Sequence, residues 1–349
     1  MPFPLRLSFP NRRWFSLNRT DFERLTAENR VPSVLLFEGE EEYLKQSALA
    51  ALRKKLLPEG LEDLNETVLE APETDAVIAA AETMPFLADR RIVLLRDYPA
   101  LTGRSEADDR LIRYLSAVPA TTVLLFYCVQ KPDGRKKLYQ AVKKLEGVVS
   151  FDPLKGAELT AFVTEAFRKL GKECDRRTAE YLTFTSGSDA NLLLSEIAKI
   201  AAFHPDDPSV DPSDVKALAT PTAEATVFQM TEAVVAGRET RAFQIMRDML
   251  RNGEDRLYIL AMLLRQFRIL QHVKIMQYEK KSQEFIRSAL GVPSFAAQQY
   301  ARQAGSWTGR QVKEAVALCL DTELSVKSGK LPAEGSLESV MLKLFEMRK

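Results

Sequence analysis

Between residues 31 and 153, short apolar runs alternate with longer stretches in which apolar residues recur every three or four positions. Such runs are typical of parallel strands buried on both faces, and the stretches between them are typical of amphipathic helices. The predicted strands are VLLF (34–37), TVLE (67–70), IVLL (92–95), TVLLFY (122–127) and VVSF (148–151). The predicted helices are Glu41–Leu57, Thr74–Met84, Glu106–Ser116 and Arg135–Leu145. Thr74 and Asp75 are suited to cap the second helix. The pattern predicts a doubly wound α/β domain with a five-stranded parallel sheet and helices on both faces.

After residue 153 the strand pattern stops, and the remaining chain is predicted to be helical. Glu158–Lys169, Arg176–Phe184 and Asp189–Ala202 are predicted to form a three-helix bundle, and the loop 204–214 is rich in proline and aspartate, which suits a connection with a new helix at Pro212. The expected organisation is an extension over 1–17, an α/β domain over 18–153, a three-helix domain over 154–220 and an all-helical domain over 221–349.

The segment Asp255–Lys280 is apolar around almost its whole circumference, so it is predicted to lie in a protein interior or an interface. The amphipathic stretches expected to surround it are Arg238–Leu250, Ser294–Gln303, Thr308–Ser328 and Ser336–Glu346.

Charge and cysteine content restrict the class of protein. The 49 Lys and Arg residues almost balance the 48 Asp and Glu residues, so no global field attracts nucleic acid or a membrane, and any DNA contact must be local. Neither a signal peptide nor a membrane span is evident, and the N-terminal residues are expected to be a disordered extension. The three cysteines are far apart and form no zinc pattern, which favours reduced thiols in a cytoplasmic protein.

The first strand-to-helix turn, FEGEEEYLKQS (37–47), is where a nucleotide-binding α/β domain cradles phosphate. Gly39 is present, but Glu40, Glu41 and Glu42 follow it and no Gly-Lys-Ser/Thr is found. Three carboxylates repel a triphosphate, whereas acids at the start of a helix complement its dipole. The sequence predicts a nucleotide site that has degenerated.

No other set of residues indicates catalysis or a metal site. Asp97 follows a predicted strand, as a Walker B acid does, but a helix cap or a surface acid is the favoured interpretation. His204 and His272 lie in different predicted domains, and no nucleophile with its base is evident. The expectation is a protein that is not an enzyme and has no cofactor or metal.

Met84, Pro85, Phe86 and Leu87 form an apolar cluster between a predicted helix and a strand. Large apolar side chains in a loop are either a plug in the core or an exposed wedge, and the pattern alone favours the plug.

A second cluster, QKPDGRKKLYQAVKKL (130–145), opens a predicted helix with Arg135, Lys136 and Lys137. A solvated helix face is the favoured interpretation. The functional alternative is a contact with the DNA backbone.

Several segments together resemble the delta subunit family of the bacterial DNA polymerase III clamp loader. They occur in the same order as in that family, over about residues 20–345: LLFEGEEEYLKQ (35–46), MPFLADRRIVLLRDY (84–98), TVLLFYCVQKPDGRKKLYQAVKKL (122–145), VVSFDPLKGAELTAFV (148–163), GSDANLLLSEIAKI (187–200), LLRQFRIL (263–270) and LCLDTELSVKSG (318–329).

The resemblance implies a degenerate AAA+ module, formed by the α/β domain and a three-helix lid, followed by a helical collar within a heteropentamer. It implies that the chain binds no ATP, and that Met84, Phe86 and Leu87, with Pro85 stiffening the turn, bind the sliding clamp. The order Phe then Leu reverses the order expected in the family. The implied partners are the clamp (beta), the other loader subunits through the collar, and primed DNA as part of the complex.

Three other classes of protein remain open. A working AAA+ ATPase is opposed by the missing Gly-Lys-Ser/Thr, and a freestanding DNA-binding protein is opposed by the near-zero net charge. A delta-prime or motor paralogue is opposed by the lack of a cysteine-rich zinc module.

Overall fold

The computed structural model describes residues 17–103, 105–203 and 205–348. The chain divides into two compact units, the first ending at Leu154 and the second beginning at Lys155. The predicted extension therefore lies outside the described residues except for Leu17, which belongs to the first strand.

Over residues 17–103 and 105–154, the first unit contains six strands, seven helices and a short 3-10 turn. The strands are β1 Leu17–Asn18, β2 Val34–Glu38, β3 Glu66–Glu70, β4 Arg91–Arg96, β5 Thr122–Tyr127 and β6 Val148–Ser150. The helices are α1 Arg19–Ala27, α2 Glu42–Leu56, α3 Glu62–Asn65, α4 Thr74–Glu82, α5 Pro99–Thr102, α6 Asp109–Tyr114 and α7 Lys137–Lys144, and the 3-10 turn is Leu115–Ala117.

The strands form one sheet in the order β1-β6-β2-β5-β4-β3, and every neighbouring pair is parallel. All five predicted strands are confirmed, but the sheet has six strands rather than five. The additional strand, β1, pairs Leu17 with Val149 and Asn18 with Ser150 at one edge. Two residues cannot show a strand period, so this strand leaves no pattern in the sequence.

The sheet carries its core on both faces. Strand β2 is buried from Val34 to Phe37, and β5 is buried throughout. The Phe37 ring meets those of Phe22 and Phe151 edge to face, each with centroids 5.0 Å apart, so α1 is held against the sheet by aromatic contacts. The near-continuous apolar strands are explained by burial on both sides.

The predicted cap of α4 is wrong. Glu73 is the N-cap residue and makes no side-chain cap bond. Thr74 is buried and its side chain is hydrogen-bonded to that of Tyr98, while the carboxylate of Asp75 pairs with Arg110 at 2.6 Å. Both side chains thus bond to other parts of the fold, which the local sequence does not reveal.

The second unit is almost entirely helical. Its helices are α8 Gly156–Lys169, α9 Arg176–Ser186, α10 Ala190–Phe203, α11 Pro212–Leu218, α12 Ala223–Val235, α13 Glu239–Arg251, α14 Arg256–Tyr278, α15 Gln283–Leu290, α16 Ser294–Ser306, α17 Gly309–Lys327 and α18 Ser336–Arg348. The predicted helix start at Pro212 is confirmed, with Asp211 forming a capping box with Asp214. The expectation of no strand after residue 153 is wrong in one detail, because β7 Glu173–Cys174 and β8 Ser209–Val210 form a two-residue parallel pair.

Helix α14 is the centre of the second unit's core, as its all-round apolar character predicts. Its buried side chains lie in one cluster with residues of α12, α13, α16, α17 and α18. A buried polar residue within it, Gln266, accepts a hydrogen bond from Tyr300 Oη at 2.8 Å. Among the described residues, no helix combines the length and apolarity that crossing a bilayer requires.

Candidate functional site

The segment Met84–Leu87, called the tip below, connects α4 to β4 and exposes its apolar side chains. Met84 is 72% exposed, Phe86 52% and Leu87 77%, while Pro85 is partly buried. The plug favoured by the sequence pattern is therefore wrong. Exposed apolar side chains grouped on one loop are typical of a surface that binds a partner.

The backbone of the tip is fixed from below by one buried side chain. Asn65, at the end of α3, is completely buried. Phe86 N–H donates to Asn65 Oδ1 at 2.7 Å, and Asn65 Nδ2 donates to the Phe86 carbonyl at 2.9 Å. Asn65 Nδ2 also donates to the Leu61 carbonyl at 3.0 Å. The polar groups of the Phe86 backbone are satisfied while about half of the residue remains exposed.

The residues that flank the tip are also held. Thr83 Oγ1 donates to the Ala79 carbonyl at 2.8 Å, one turn back in α4. Arg90 donates from Nη1 to the Val31 carbonyl at 2.7 Å and from Nη2 to the Thr122 carbonyl at 3.2 Å. The tip therefore projects from two fixed ends.

The segment Gly39–Gln46 is called the phosphate turn below. Close packing of the chain against its first residue explains why that residue is glycine. Gly39 has φ +112°, which side chains rarely permit, and a Cβ added there would lie 2.2 Å from the Phe151 carbonyl oxygen. Phe151 N–H donates to Glu38 O at 2.8 Å, and Glu41 N–H donates to Phe151 O at 3.1 Å. The chain after β6 therefore lies against this glycine.

Lys45 is a functional candidate that sequence reasoning missed. It stands six residues after Gly39, as the lysine of a P-loop does, although Leu44 and Gln46 replace that motif's glycine and Ser/Thr. Only 1% of Lys45 is exposed. Its Nζ donates to the Cys128 carbonyl at 2.8 Å and lies 2.9 Å from Glu42 Oε2. The spacing from Gly39 could have identified it.

Glu42 supplies the anion that faces this lysine. Its Oε1 accepts hydrogen bonds from Tyr127 Oη at 2.6 Å and Gln46 Nε2 at 3.0 Å. Burial alone raises the pKa of Glu42, but the hydrogen bonds from Tyr127, Lys45 and Gln46 outweigh it and hold this pKa below its ordinary value. A carboxylate of the chain itself thus neutralises the buried cation of the turn.

The other two acids of the turn do not join this network in the same way. Glu40 is exposed, and Glu41 is buried at the N-cap of α2 without a side-chain cap bond. Of the predicted residues Gly39, Glu40, Glu41 and Glu42, the last forms an ion pair with the buried lysine.

The basic cluster is paired with acids. Arg135 lies 2.8 Å from Asp133, Lys136 3.0 Å from Glu106 and Lys137 3.6 Å from Asp109. Lys136 also donates to the Ser105 carbonyl and is largely buried. Arg135 and Lys137 are exposed, as a solvated face requires, whereas Lys136 is not, and contact with the DNA backbone remains a prediction.

Other candidate groups contribute no site. Asp97 is exposed and accepts a hydrogen bond from Val129 N–H at 2.8 Å, which makes it a surface acid rather than a helix cap.

The cysteines are free and buried, and burial raises the pKa of Cys128 to about 12. The described residues contain no group of three or more His, Cys, Asp or Glu side chains able to hold a metal. His204 lies outside the described residues, and His272 is exposed on α14.

The strand order defines the class of protein. Apart from the edge strand β1, the sheet has the order β6-β2-β5-β4-β3, with the last core strand beside the first. This parallel sheet with a helical region after it agrees with the AAA+-like fold that the sequence resemblance implies. With its helical second unit, the chain is AAA+-like.

The chain belongs to the family of DNA polymerase III delta subunits, as its sequence resemblance indicates. The family model "DNA polymerase III, delta subunit" matches residues 35–152, the model of that subunit's C-terminal domain matches residues 224–344, and together they cover more than half of the chain.

One curated protein and one solved structure, both from Bacillus subtilis, illustrate the relationship. DNA polymerase III subunit delta is 27% identical over an alignment of 328 residues, which covers 91% of this chain and 94% of that protein. The solved structure of the DNA clamp loader delta protein is 26% identical, matches 94% of this chain and 99% of that one, and superposes with a TM-score of 0.52.

Proposed function

We propose that this chain is the clamp-loader subunit that binds the sliding clamp through the tip and opens it for loading onto primed DNA, without hydrolysing ATP itself. The observation that carries the proposal is the exposure of Met84, Phe86 and Leu87 on a backbone fixed by Asn65. Membership of the delta family, whose Bacillus subtilis member is described as a DNA clamp loader protein, supports the same role.

The tip is small but can supply most of the affinity. A phenylalanine that enters a pocket buries about 150–250 Å², and a few such anchors dominate the binding energy of most interfaces. Because the Phe86 backbone is already fixed, little conformational entropy is lost when the ring is buried. Pro85 limits the backbone further through its fixed φ.

Opening of the clamp follows if the subunit binds the open ring more tightly than the closed ring. A ligand that binds the open clamp better than the closed one increases the open population by the ratio of the two affinities. A rigidly held anchor suits this role. A mobile anchor could adapt to the closed ring and would bind the open and closed clamps equally well.

The ion pair between Lys45 and Glu42 in the phosphate turn supports the proposal that this subunit does not use ATP. Lys45 and Glu42 neutralise each other, and Glu40 and Glu41 add further acidic residues to the turn. We propose that other subunits bind ATP and that this chain joins them through the helical region 221–349. Exposed apolar side chains there, including Ile275, Tyr278 and Leu324, support such contacts. In this proposal the chain acts in the cytoplasm and contacts primed DNA as part of the assembled clamp loader.

The test is a double variant of the tip, Phe86→Ala with Leu87→Ala, titrated against the clamp of the same organism. We expect the dissociation constant to rise by at least about 100-fold, because hot-spot side chains are lost. Thermal stability should change little, since exposed substitutions alter the free energy of unfolding by about 0.5 kcal/mol or less.

Val129→Ala is the matched control, because Val129 is 51% exposed in the same unit and lies outside the tip. It should bind the clamp as the natural chain does. Unchanged clamp affinity in the double variant, or an equal loss in the control, would contradict the role of the tip.

A further inference from the structure

The conformation of the tip depends on a side chain outside it. Asn65 precedes Phe86 by 21 residues, yet it bonds both polar groups of the Phe86 backbone, at 2.7 and 2.9 Å. The same amide is anchored to the Leu61 carbonyl at 3.0 Å, and the residue is completely buried. The position of the Phe86 backbone is thus fixed by the position of α3.

Asparagine is suited to this task by its chemistry. Its amide carries a donor and an acceptor on one planar group, which matches the N–H and C=O of one backbone residue. Aspartate at neutral pH keeps the acceptor but has no donor, and leucine has neither. A substitution can therefore remove one bond or both with little change of volume.

Packing of its own side chains contributes little to the shape of the tip. Its three large apolar side chains are more than half exposed, so they pack little against the rest of the unit. Leu87 has φ +49°, a left-handed conformation that costs free energy for any residue with a Cβ. A strained, poorly packed loop keeps one conformation only when its surroundings impose it.

We propose that Asn65 is a positioning residue for clamp binding, which holds the tip in the conformation that presents Phe86. The inference rests on the proposed function of the tip. Asn65 does not touch the clamp in this proposal. It acts by removing the cost of ordering the loop at the moment of binding.

The effect of Asn65 should be local. The next residue, Glu66, begins β3 and is held independently by Arg53, whose Nη2 lies 2.6 Å from Glu66 Oε1 and whose Nε lies 2.9 Å from Glu66 Oε2. Strand β3 is also paired with β4 over its whole length. Loss of the amide therefore releases the tip while the sheet edge remains anchored.

The experiment compares Asn65→Asp and Asn65→Leu with the natural chain in titrations against the clamp over a range of pH. At neutral pH both variants should bind about 10- to 100-fold more weakly, as expected when a preorganised loop must be ordered on binding. Burial raises the pKa of an introduced carboxylic acid, and its protonated form again offers one donor and one acceptor. Asn65→Asp should therefore recover affinity, relative to the natural chain, as pH falls, and Asn65→Leu should not.

Amide hydrogen exchange supplies a readout that is independent of the clamp. The Phe86 amide should be protected in the natural chain and should exchange faster in both variants at neutral pH. Natural affinity in a variant whose Phe86 amide exchanges fast would overturn the role of Asn65, and so would unchanged protection in Asn65→Leu or a lack of recovery in Asn65→Asp.

These outcomes are distinct from a failure of the proposed function. If Phe86→Ala with Leu87→Ala leaves clamp affinity unchanged, the clamp-binding role of the tip fails. If that pair loses affinity while the Asn65 variants keep it, only the positioning role fails.

Discussion

The tip and the phosphate turn lie in the same unit and invert the usual distribution of side chains in opposite ways. The tip exposes Phe86 and Leu87 to solvent, whereas the turn buries the charge of Lys45. In each case hydrogen bonds make the arrangement possible: Asn65 satisfies the backbone beneath the tip, and Glu42 with the Cys128 carbonyl satisfies the lysine. Residue type alone therefore does not decide which side chains face solvent.

The two regions should also differ in what they contribute to stability. Exposed apolar side chains at the tip bury little surface, so their removal should hardly affect folding. The buried lysine paired with a carboxylate is different, because removal of the lysine takes the cation away from Glu42 and from the buried Cys128 carbonyl. The comparison can be tested by substitution in each region.

The largest effect is expected for Lys45→Met. It should lower the free energy of unfolding of the first unit by about 3 kcal/mol, because Glu42 and the Cys128 carbonyl lose their partner. Hydrogen exchange of the β2 and β5 amides measures this loss in the unit concerned. Lys55→Met, which replaces an exposed lysine of the same helix, is the control and should have little effect.

Replacing both members of the pair, by Glu42→Gln with Lys45→Met, should cost less than Lys45→Met alone, since no isolated charge remains. Equal losses in Lys45→Met and Lys55→Met would show that the buried lysine contributes no more than a surface one, and the contrast with the tip would disappear.

A smaller effect is expected for the pH dependence of Glu42. The pKa of this carboxyl is lowered in the folded chain from an ordinary value of 4.5, so its ionised form stabilises the fold. This contribution is fully present above the ordinary value and is lost as pH falls through the lowered folded pKa. The difference in urea midpoint between the natural chain and Glu42→Gln should therefore narrow as pH falls below about 4.5.

Glu40→Gln, at an exposed position of the same turn, is the control for Glu42→Gln. If the difference between Glu42→Gln and the natural chain widened on acidification, folding would have to raise the pKa of Glu42 instead of lowering it.

The smallest effect, no measurable heat, is expected when the chain is titrated with Mg·ATP in a calorimeter. The cation that would meet phosphate is bonded to Glu42, and further acids repel a triphosphate. A micromolar dissociation constant would refute this expectation. If heat is detected, Lys45→Met would establish whether the turn is its source.

The fold can be predicted from sequence where each element is long enough to show its period. Strands β2, β4 and β5 and the central helix α14 are predicted correctly because burial of most of their residues requires continuous apolar runs. Strand β1 escapes prediction because two residues carry no period. The predicted cap of α4 is wrong because Thr74 bonds to Tyr98, which is distant in sequence.

The candidate site is harder to predict from sequence, because the contacts that define its geometry join residues far apart in the chain. Resemblance locates the tip, but the conformation that exposes it depends on Asn65. Burial of Lys45 requires a carbonyl 83 residues away, and the pairing of Lys136 requires an acid 30 residues away. A lysine on a helix is usually a surface residue, so only its spacing from Gly39 could have drawn attention to it.

Gly39 has a consequence for the search for nucleotide-binding proteins by motif. Any other residue there would collide with the Phe151 carbonyl, so the fold requires glycine at this position whether or not a nucleotide binds. A glycine at the first position of such a motif is therefore explained by chain packing alone and is weak evidence for phosphate binding. Evolutionary loss of nucleotide binding should be judged by the residues that follow it.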